Sequence, residues 1–306
     1  MTPLPSEGDM IVETLEQRLA QRGVFVESAL ERRLSPDVLP FDSPMTQAMR
    51  YAVLGGGKRI RAFLTLEFCN MFGGTPEDAV DYACAMEMVH GYSLVHDDLP
   101  CMDNDDMRRG KPSCHKKYGE AVALLAGDAL LTQAFYCIGS HGGPEEYPKN
   151  VLAVKALSRC AGALGMCAGQ QMDLSGDAED YNALRMLHSL KTGALMEAAC
   201  LLGYYAATST PDSKVEEKLR LYAQNIGLAF QIIDDLLDVN STAEVLGKPI
   251  GSDAKNEKCT VLRFLSEEAA FTEASRLSEE ASSLFADWKD STYICQLPMY
   301  LLHRKK

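Results

Sequence analysis

The strongest constraint on the fold is the run Ser93–Gly110, SLVHDDLPCMDNDDMRRG. Five carboxylates, Asp97, Asp98, Asp103, Asp105 and Asp106, fall within ten residues and are followed at once by Arg108 and Arg109. Charges of one sign packed this densely repel. Leu94 and Val95 just upstream mark a helix end directed into the protein, where each uncompensated carboxylate would cost on the order of several kcal/mol. A fold that accepts this run must bring it positive charge, and a divalent cation relieves both the repulsion and the burial.

Asp97 and Asp103 are six residues apart, off any common face of an ideal helix. Pro100 lets the chain leave the helix ahead of it and loop Asp103 back beside Asp97. The run therefore reads as a helical DDxxD pattern with two residues inserted. Oxygen-only ligands of this kind suit Mg²⁺, which keeps several waters and is completed by substrate phosphates.

A second cluster lies far downstream in LRLYAQNIGLAFQIIDDLLDV. Leu219, Tyr222, Ile226, Phe230, Ile233 and Leu237 trace one apolar stripe, and Gly227, Gln231, Asp234 and Asp238 trace another, with Asp235 beside them. Residues three and four apart share a helix face. This helix thus presents a glutamine and two carboxylates among Phe230, Ile232, Ile233 and Leu236, surroundings a solvated face would not have. Two such clusters facing each other across a bundle can hold metal ions and a diphosphate, with an apolar cavity below for a hydrocarbon body.

The rest of the chain reads as helices. Residues 1–9, with Pro3, Pro5, Ser6 and Gly8, form a loose tail. An amphipathic helix starts at Met10 and is broken near Gly23; a second runs over 45–54 and stops at Gly55–Gly57. KRIR follows. Alone it is a solvated capping loop; with the glycines it lets backbone approach an anion that Lys58 and Arg61 would hold. On the next helix, residues 76–96, His90 and Ser93 share a polar stripe with Asp97; in isolation His90 reads as a satisfied core histidine.

Residues 120–138 are apolar nearly all round, which predicts a helix at the protein centre with Asp128 as a hydrogen-bonded core residue. Residues 140–148 form a surface loop. Gln170 and Asp173, three apart in GMCAGQQMDLSG, are placed to line a cavity. Lys191 is an interior charge in the helix 181–205, by itself a snorkelling lysine; Gly193 after it weakens the helix and turns the Thr192 carbonyl toward a ligand. Lys248, Lys255 and Lys258 lie in a Gly/Lys-rich loop suited to covering phosphates. An amphipathic helix and the basic tail YLLHRKK end the chain.

No alternating strand pattern and no internal repeat occur. The expectation is an all-α fold, a single domain over residues 10–306 of ten or more helices around a central cavity. A net charge of −13 argues against nucleic acid as a partner. Ten cysteines without a CxxC pair fit free thiols in a reducing cytoplasm. Neither a signal peptide nor an apolar run of about 18 residues is present, which predicts no membrane insertion.

The blocks GGKRIR, HDDLPCMDNDDMRRGKPSCH, GQQMDL, HSLKTGAL, FQIIDDLLDV and LGKPIGSDAKNEKCT, in this order across residues 40–265, resemble those of the bacterial-type short-chain trans-isoprenyl diphosphate synthases of the polyprenyl synthetase family. The resemblance implies an isoprenoid-synthase-type bundle, a homodimer, and three Mg²⁺ ions held by Asp97, Asp103, Asp234 and Asp238, with Asp98 and Asp235 in support. It implies allylic and isopentenyl diphosphates as substrates, joined by ionisation, condensation and elimination. Arg108, Lys191, Lys248 and Lys258 would serve the leaving diphosphate, and the Thr192 carbonyl and Gln231 the allylic cation. Isopentenyl diphosphate would sit on Lys58, Arg61, His90 and Arg109.

In the family so resembled, a bulky residue five before the first aspartate limits product length; here it is Tyr92, with Ser93 next, which implies the fifteen-carbon product, farnesyl diphosphate. Ideal helix geometry puts Tyr92 roughly 140° around from Asp97, so spacing alone does not set it on the pocket axis. The alternatives are a geranylgeranyl diphosphate synthase, a class I terpene cyclase, which usually carries an Asn/Ser/Glu second motif where this chain has DDLLD, and a non-catalytic subunit of a heteromeric synthase, which would have lost its aspartates.

Overall fold

The computed structural model describes residues 13–176, 178–240 and 259–304. The N-terminal tail read at residues 1–9 and the loop bearing Lys248, Lys255 and Lys258 lie outside the described residues. The fold is all-α. α1 (Leu15–Arg33) and α2 (Pro44–Val53) each start at a reciprocal side-chain cap, Thr14 with Gln17 and Ser43 with Thr46, and α4 (Pro76–Asp97) does so at Thr75 with Asp78. These caps satisfy amide donors that the first turn leaves orphaned.

α1 runs unbroken through Gly23, against expectation. One glycine costs a helix about 1 kcal/mol, and Val26, Ala29 and Leu30, fully buried just beyond it, outweigh that. α2 ends where Gly55, Gly56 and Gly57 adopt φ of +93°, +116° and +113°, conformations open to glycine and costly for any L residue. α3 (Ile60–Met71) is then buried on nearly every side, with Glu67 held between Arg22 Nε at 2.6 Å and Arg18 Nε at 2.9 Å.

After α4 the chain makes a short hairpin, β1 (Met107–Arg108) with β2 (Lys111–Pro112), and continues through α5 (Cys114–Tyr118), α6 (Glu120–Gly139), α7 (Tyr147–Ala161), α8 (Met166–Ser175) and α9 (Tyr181–His188). A π-helical turn, Ser189–Gly193, joins α9 to α10 (Ala194–Ala207). α11 (Ser213–Asn240), α12 (Glu267–Ser283) and α13 (Thr292–Leu302) complete the described chain.

The central helix is α10, buried from Ala194 to Ala206 and packed by α3, α4, α7 and α11. α6, expected at the centre, lies at the edge: Leu124, Leu125 and Tyr136 are 46%, 53% and 62% exposed, and the Asp128 side chain is 60% exposed rather than buried. Apolar composition marks a face that excludes water without saying whether core or partner covers it. Glu120–Gly139, and the stretch Pro144–Ser175 that holds α7 and α8, are apolar enough to cross a membrane by length and mean hydropathy alone, as core helices of soluble proteins also are.

Candidate active site

The end of α4 builds the first acidic cluster. The helix closes at Asp98, and the chain turns so that the Asp103 amide donates to the Asp97 carbonyl at 2.8 Å, the return that Pro100 made feasible. The five carboxylates then separate by role. Asp98 is buried and accepts from Arg108 Nε at 2.9 Å; Asp105 accepts from Arg108 Nη2 at 3.2 Å; Asp106 pairs with Lys116 Nζ at 2.9 Å. Asp97 faces a cavity, and burial pushes its carboxyl up to about 6, the Asp103 and Asp98 charges adding to this and Lys191 and Arg108 opposing it.

That cavity, of ≈ 370 Å³, brings together Arg61, His90, Tyr92, Ser93, Asp97, Lys191 and Thr192, with Met166, Cys167 and Leu195 as apolar wall. Tyr92 and Asp97 both line it despite their angular separation, because the cavity wraps the last turns of α4 instead of following one stripe. The Tyr92 hydroxyl lies 3.9 Å from Cys167 Sγ on α8, and its ring meets His96 edge to face at 5.7 Å. Ser93 Oγ donates to the His90 carbonyl at 2.9 Å.

The second cluster is carried by an unbroken helix. On α11, Gln231 Oε1 accepts from Thr192 Oγ1 at 2.7 Å, and Asp234 Oδ1 accepts from Arg304 Nη2 at 2.5 Å. Asp235 accepts from the Val261 amide at 2.7 Å, tying α11 to the segment that precedes α12. Across from it, Lys191 Nζ donates to Asp173 Oδ2 at 2.5 Å.

Basic groups gather at the same mouth. Arg59, in a left-handed conformation at φ 49°, is anchored by Glu87 at 2.9 Å and Glu27 at 2.5 Å, and this fixes the glycine loop. Arg109 Nη1 donates to the Gly56 carbonyl at 3.0 Å. Burial first, and neighbouring arginines second, hold Arg61 and Arg109 below the usual guanidinium range despite Glu87, and push His90 well below the usual imidazole range. Lys58 is lowered by burial and by Arg304, with Asp234 opposing. Cations crowded in this way are a site made for an anion.

A family profile, Polyprenyl synthetase, matches residues 42–296. The chain belongs to the polyprenyl synthetase family. It is 42% identical over 296 residues to a dimethylallyltranstransferase of Fischerella ambigua, covering 95% of this chain and 84% of the relative. It is 44% identical over 274 residues to a geranylgeranyl diphosphate synthase of Cyanophora paradoxa, covering 86% and 87%. Among solved structures, an FPP/GFPP synthase from Zymomonas mobilis superposes with a TM-score of 0.81 at 32% identity, covering 94% of this chain and 98% of that one. A geranyltransferase from Legionella pneumophila gives 0.83 at 30% identity, covering 95% and 98%. The chain is thus a trans-prenyltransferase of this family, whose substrates are isopentenyl and allylic diphosphates.

Within this polyprenyl synthetase, Arg61, His90, Tyr92, Ser93, Asp97, Lys191 and Thr192 meet in one cavity. Gln231 joins them through Thr192, buried Asp98 stands behind with the half-buried Arg108, and Lys58 opens on a neighbouring recess shared with Arg304. Lys248 and Lys258 lie outside the described residues. In the sequence Arg304 reads only as part of a basic tail. Its guanidinium is buried, stacks 3.6 Å over the Phe230 ring and donates to the Phe230 carbonyl at 3.1 Å, a destination that no local spacing encodes.

The donor chemistry of the two clusters fits Mg²⁺. All candidate ligands are carboxylate oxygens, the hard donors this ion takes, and Asp97 lines the cavity where a diphosphate would complete the coordination. Among the described residues no three His, Cys, Asp or Glu side chains converge into a closed cage. Sites for this ion commonly use one or two carboxylates and leave the rest to water and phosphate.

Proposed function

We propose that this trans-prenyltransferase condenses isopentenyl diphosphate with dimethylallyl and then geranyl diphosphate and stops at farnesyl diphosphate. The observation that carries the product length is Tyr92, buried in the cavity wall with its hydroxyl 3.9 Å from Cys167 on the opposite helix. A chain growing past the reacting carbons meets that pair.

In this reading Asp97, Asp103, Asp234 and Asp238 hold Mg²⁺, three ions in all, with Asp98 fixing Arg108 and Asp235 fixing the chain behind. Bound Mg²⁺ would neutralise the charge of the leaving diphosphate. Arg108, Lys191, Lys248 and Lys258 add positive charge on the allylic side as its carbon–oxygen bond breaks. The Thr192 carbonyl and Gln231 present oxygen to the allylic cation, a charge that develops only in the transition state. Lys58, Arg61, His90 and Arg109 orient the isopentenyl diphosphate so that its terminal double-bond carbon forms the new bond. The departing diphosphate takes the proton that restores the alkene, so no side chain has to act as a strong base.

The exposed apolar face of α6 and α7, with Leu124, Leu125, Tyr136, Tyr147 and Val151, supports a homodimer rather than insertion in a membrane, since Asp128 interrupts it. Sedimentation should give the dimer mass without detergent; a monomer that partitions into lipid vesicles would refute this. Ten unpaired thiols support a cytoplasmic location.

Chromatography of products from the two substrates and Mg²⁺ tests the main reading. Wild type should give the fifteen-carbon product, and Tyr92→Ala should lengthen it; unchanged output from the variant would sink the assignment. A second reading, a twenty-carbon product, is favoured by the relative from Cyanophora paradoxa named a geranylgeranyl diphosphate synthase.

A further inference from the structure

The helix that delivers Lys191 and Thr192 to the cavity swells just there. Ser189–Gly193 is a π turn, equivalent to one extra residue in an otherwise regular helix. The swollen backbone sits between α8 and α11, and each of these approaches it with a glycine. A Cβ on Gly169 would lie 2.2 Å from the Lys191 amide nitrogen and 2.6 Å from its Cα. A Cβ on Gly227 would lie 2.8 Å from the Cα of Gly193 and 3.3 Å from its nitrogen. These are main-chain atoms, which cannot swing aside as the end of a side chain can.

One turn beyond each glycine, on the same helix face, stands the residue that holds a side chain of the bulge. Asp173, four after Gly169, accepts from Lys191 Nζ at 2.5 Å; Gln231, four after Gly227, accepts from Thr192 Oγ1 at 2.7 Å. The two flanking helices use one device twice: a glycine that admits the main chain and a polar side chain that orients what the main chain carries.

We propose that Gly169 and Gly227 are positioning residues for the reaction, clamping the π turn so that Lys191 faces the diphosphate of the allylic substrate and the Thr192 carbonyl its allylic carbons. The inference rests on the allylic-site reading of Lys191 and Thr192. Gly203 supplies a comparison within the same bundle. A Cβ there would meet the Thr65 carbonyl at 2.4 Å and Phe68 Cβ at 2.9 Å, an equally tight approach, yet the contact is between α10 and α3 and touches none of the cavity residues.

The test compares kcat, KM for each substrate and thermal midpoint in full-length Gly169→Ala, Gly227→Ala, Gly203→Ala, Lys191→Ala and a Ser189 deletion. Gly169→Ala and Gly227→Ala should each lose about 100-fold in kcat, the scale of an ångström-sized misplacement. Their KM for isopentenyl diphosphate should stay within about twofold, because its groups stand on other elements. Gly203→Ala should lose at least as much thermal stability and keep its kcat. Deleting Ser189 should restore a regular helix, keep the thermal midpoint and lose turnover as Lys191→Ala does.

Glycine variants that turn over like Gly203→Ala while Lys191→Ala is impaired would overturn the clamp and leave the allylic-site reading standing. Unimpaired Lys191→Ala would overturn both. Should a glycine variant not fold, the Ser189 deletion decides: normal turnover from the regularised helix refutes the proposal.

Discussion

The two acidic clusters carry similar residues and are built in opposite ways. At Asp97–Asp106 the geometry is local: a proline ends the helix, the Asp103 amide returns to the Asp97 carbonyl, and Arg108 and Lys116, close in sequence, compensate Asp98, Asp105 and Asp106. At Asp234–Asp238 the helix is regular and the surroundings come from far away. Arg304 reaches Asp234 from the C-terminal tail, and Thr192 reaches Gln231 from the π turn. The first cluster is shaped by contacts between neighbours in sequence, whereas the second is assembled by packing.

If both clusters serve one metal site, Asp97→Ala and Asp234→Ala should each cost about 10³-fold or more in kcat with the helical circular dichroism retained. Near-normal turnover in either would show that cluster to be dispensable. The structural contrast is tested by Asp98→Asn. It removes the closer of the two carboxylates that Arg108 meets, Asp105 remaining at 3.2 Å, and should cost about 2 kcal/mol, read as a lower denaturation midpoint at unchanged m-value.

Arg304→Gln is the matching change in the second cluster and should be the mildest. Asp234 keeps 37% of its side chain in solvent, so the charge pair itself should contribute about 1 kcal/mol or less, and the buried guanidinium gives up in addition its stack on Phe230. With the guanidinium gone, Mn²⁺ titrated into the substrate-free protein should bind more tightly. Weaker binding would mean that Arg304 organises Asp234 for the ion instead of competing with it.

Legibility follows the same division. The stripe on α11 could be read because helix periodicity alone puts Gln231, Asp234 and Asp238 on one face, and the loop at Pro100 because proline acts on its neighbours. Tyr92 could not be set on the pocket by spacing, since the shape of the cavity depends on α8 and the π turn as well as on α4. Asp128 was expected inside because α6 is apolar, and hydrophobicity records exclusion from water without recording what does the excluding. Gly169 carries no signal of its own in the sequence, because its meaning lies in the distance to a backbone met only after folding.

By itself, the sequence determined the all-helical class, the positions of both aspartate clusters and the caps that start α1, α2 and α4, each set by interactions within a few residues. Only the tertiary structure decided which helix is central, where Arg304 docks and how closely α8 and α11 approach the π turn. Those outcomes depend on groups distant in the chain whose meeting is fixed by packing, and packing is a property of the whole.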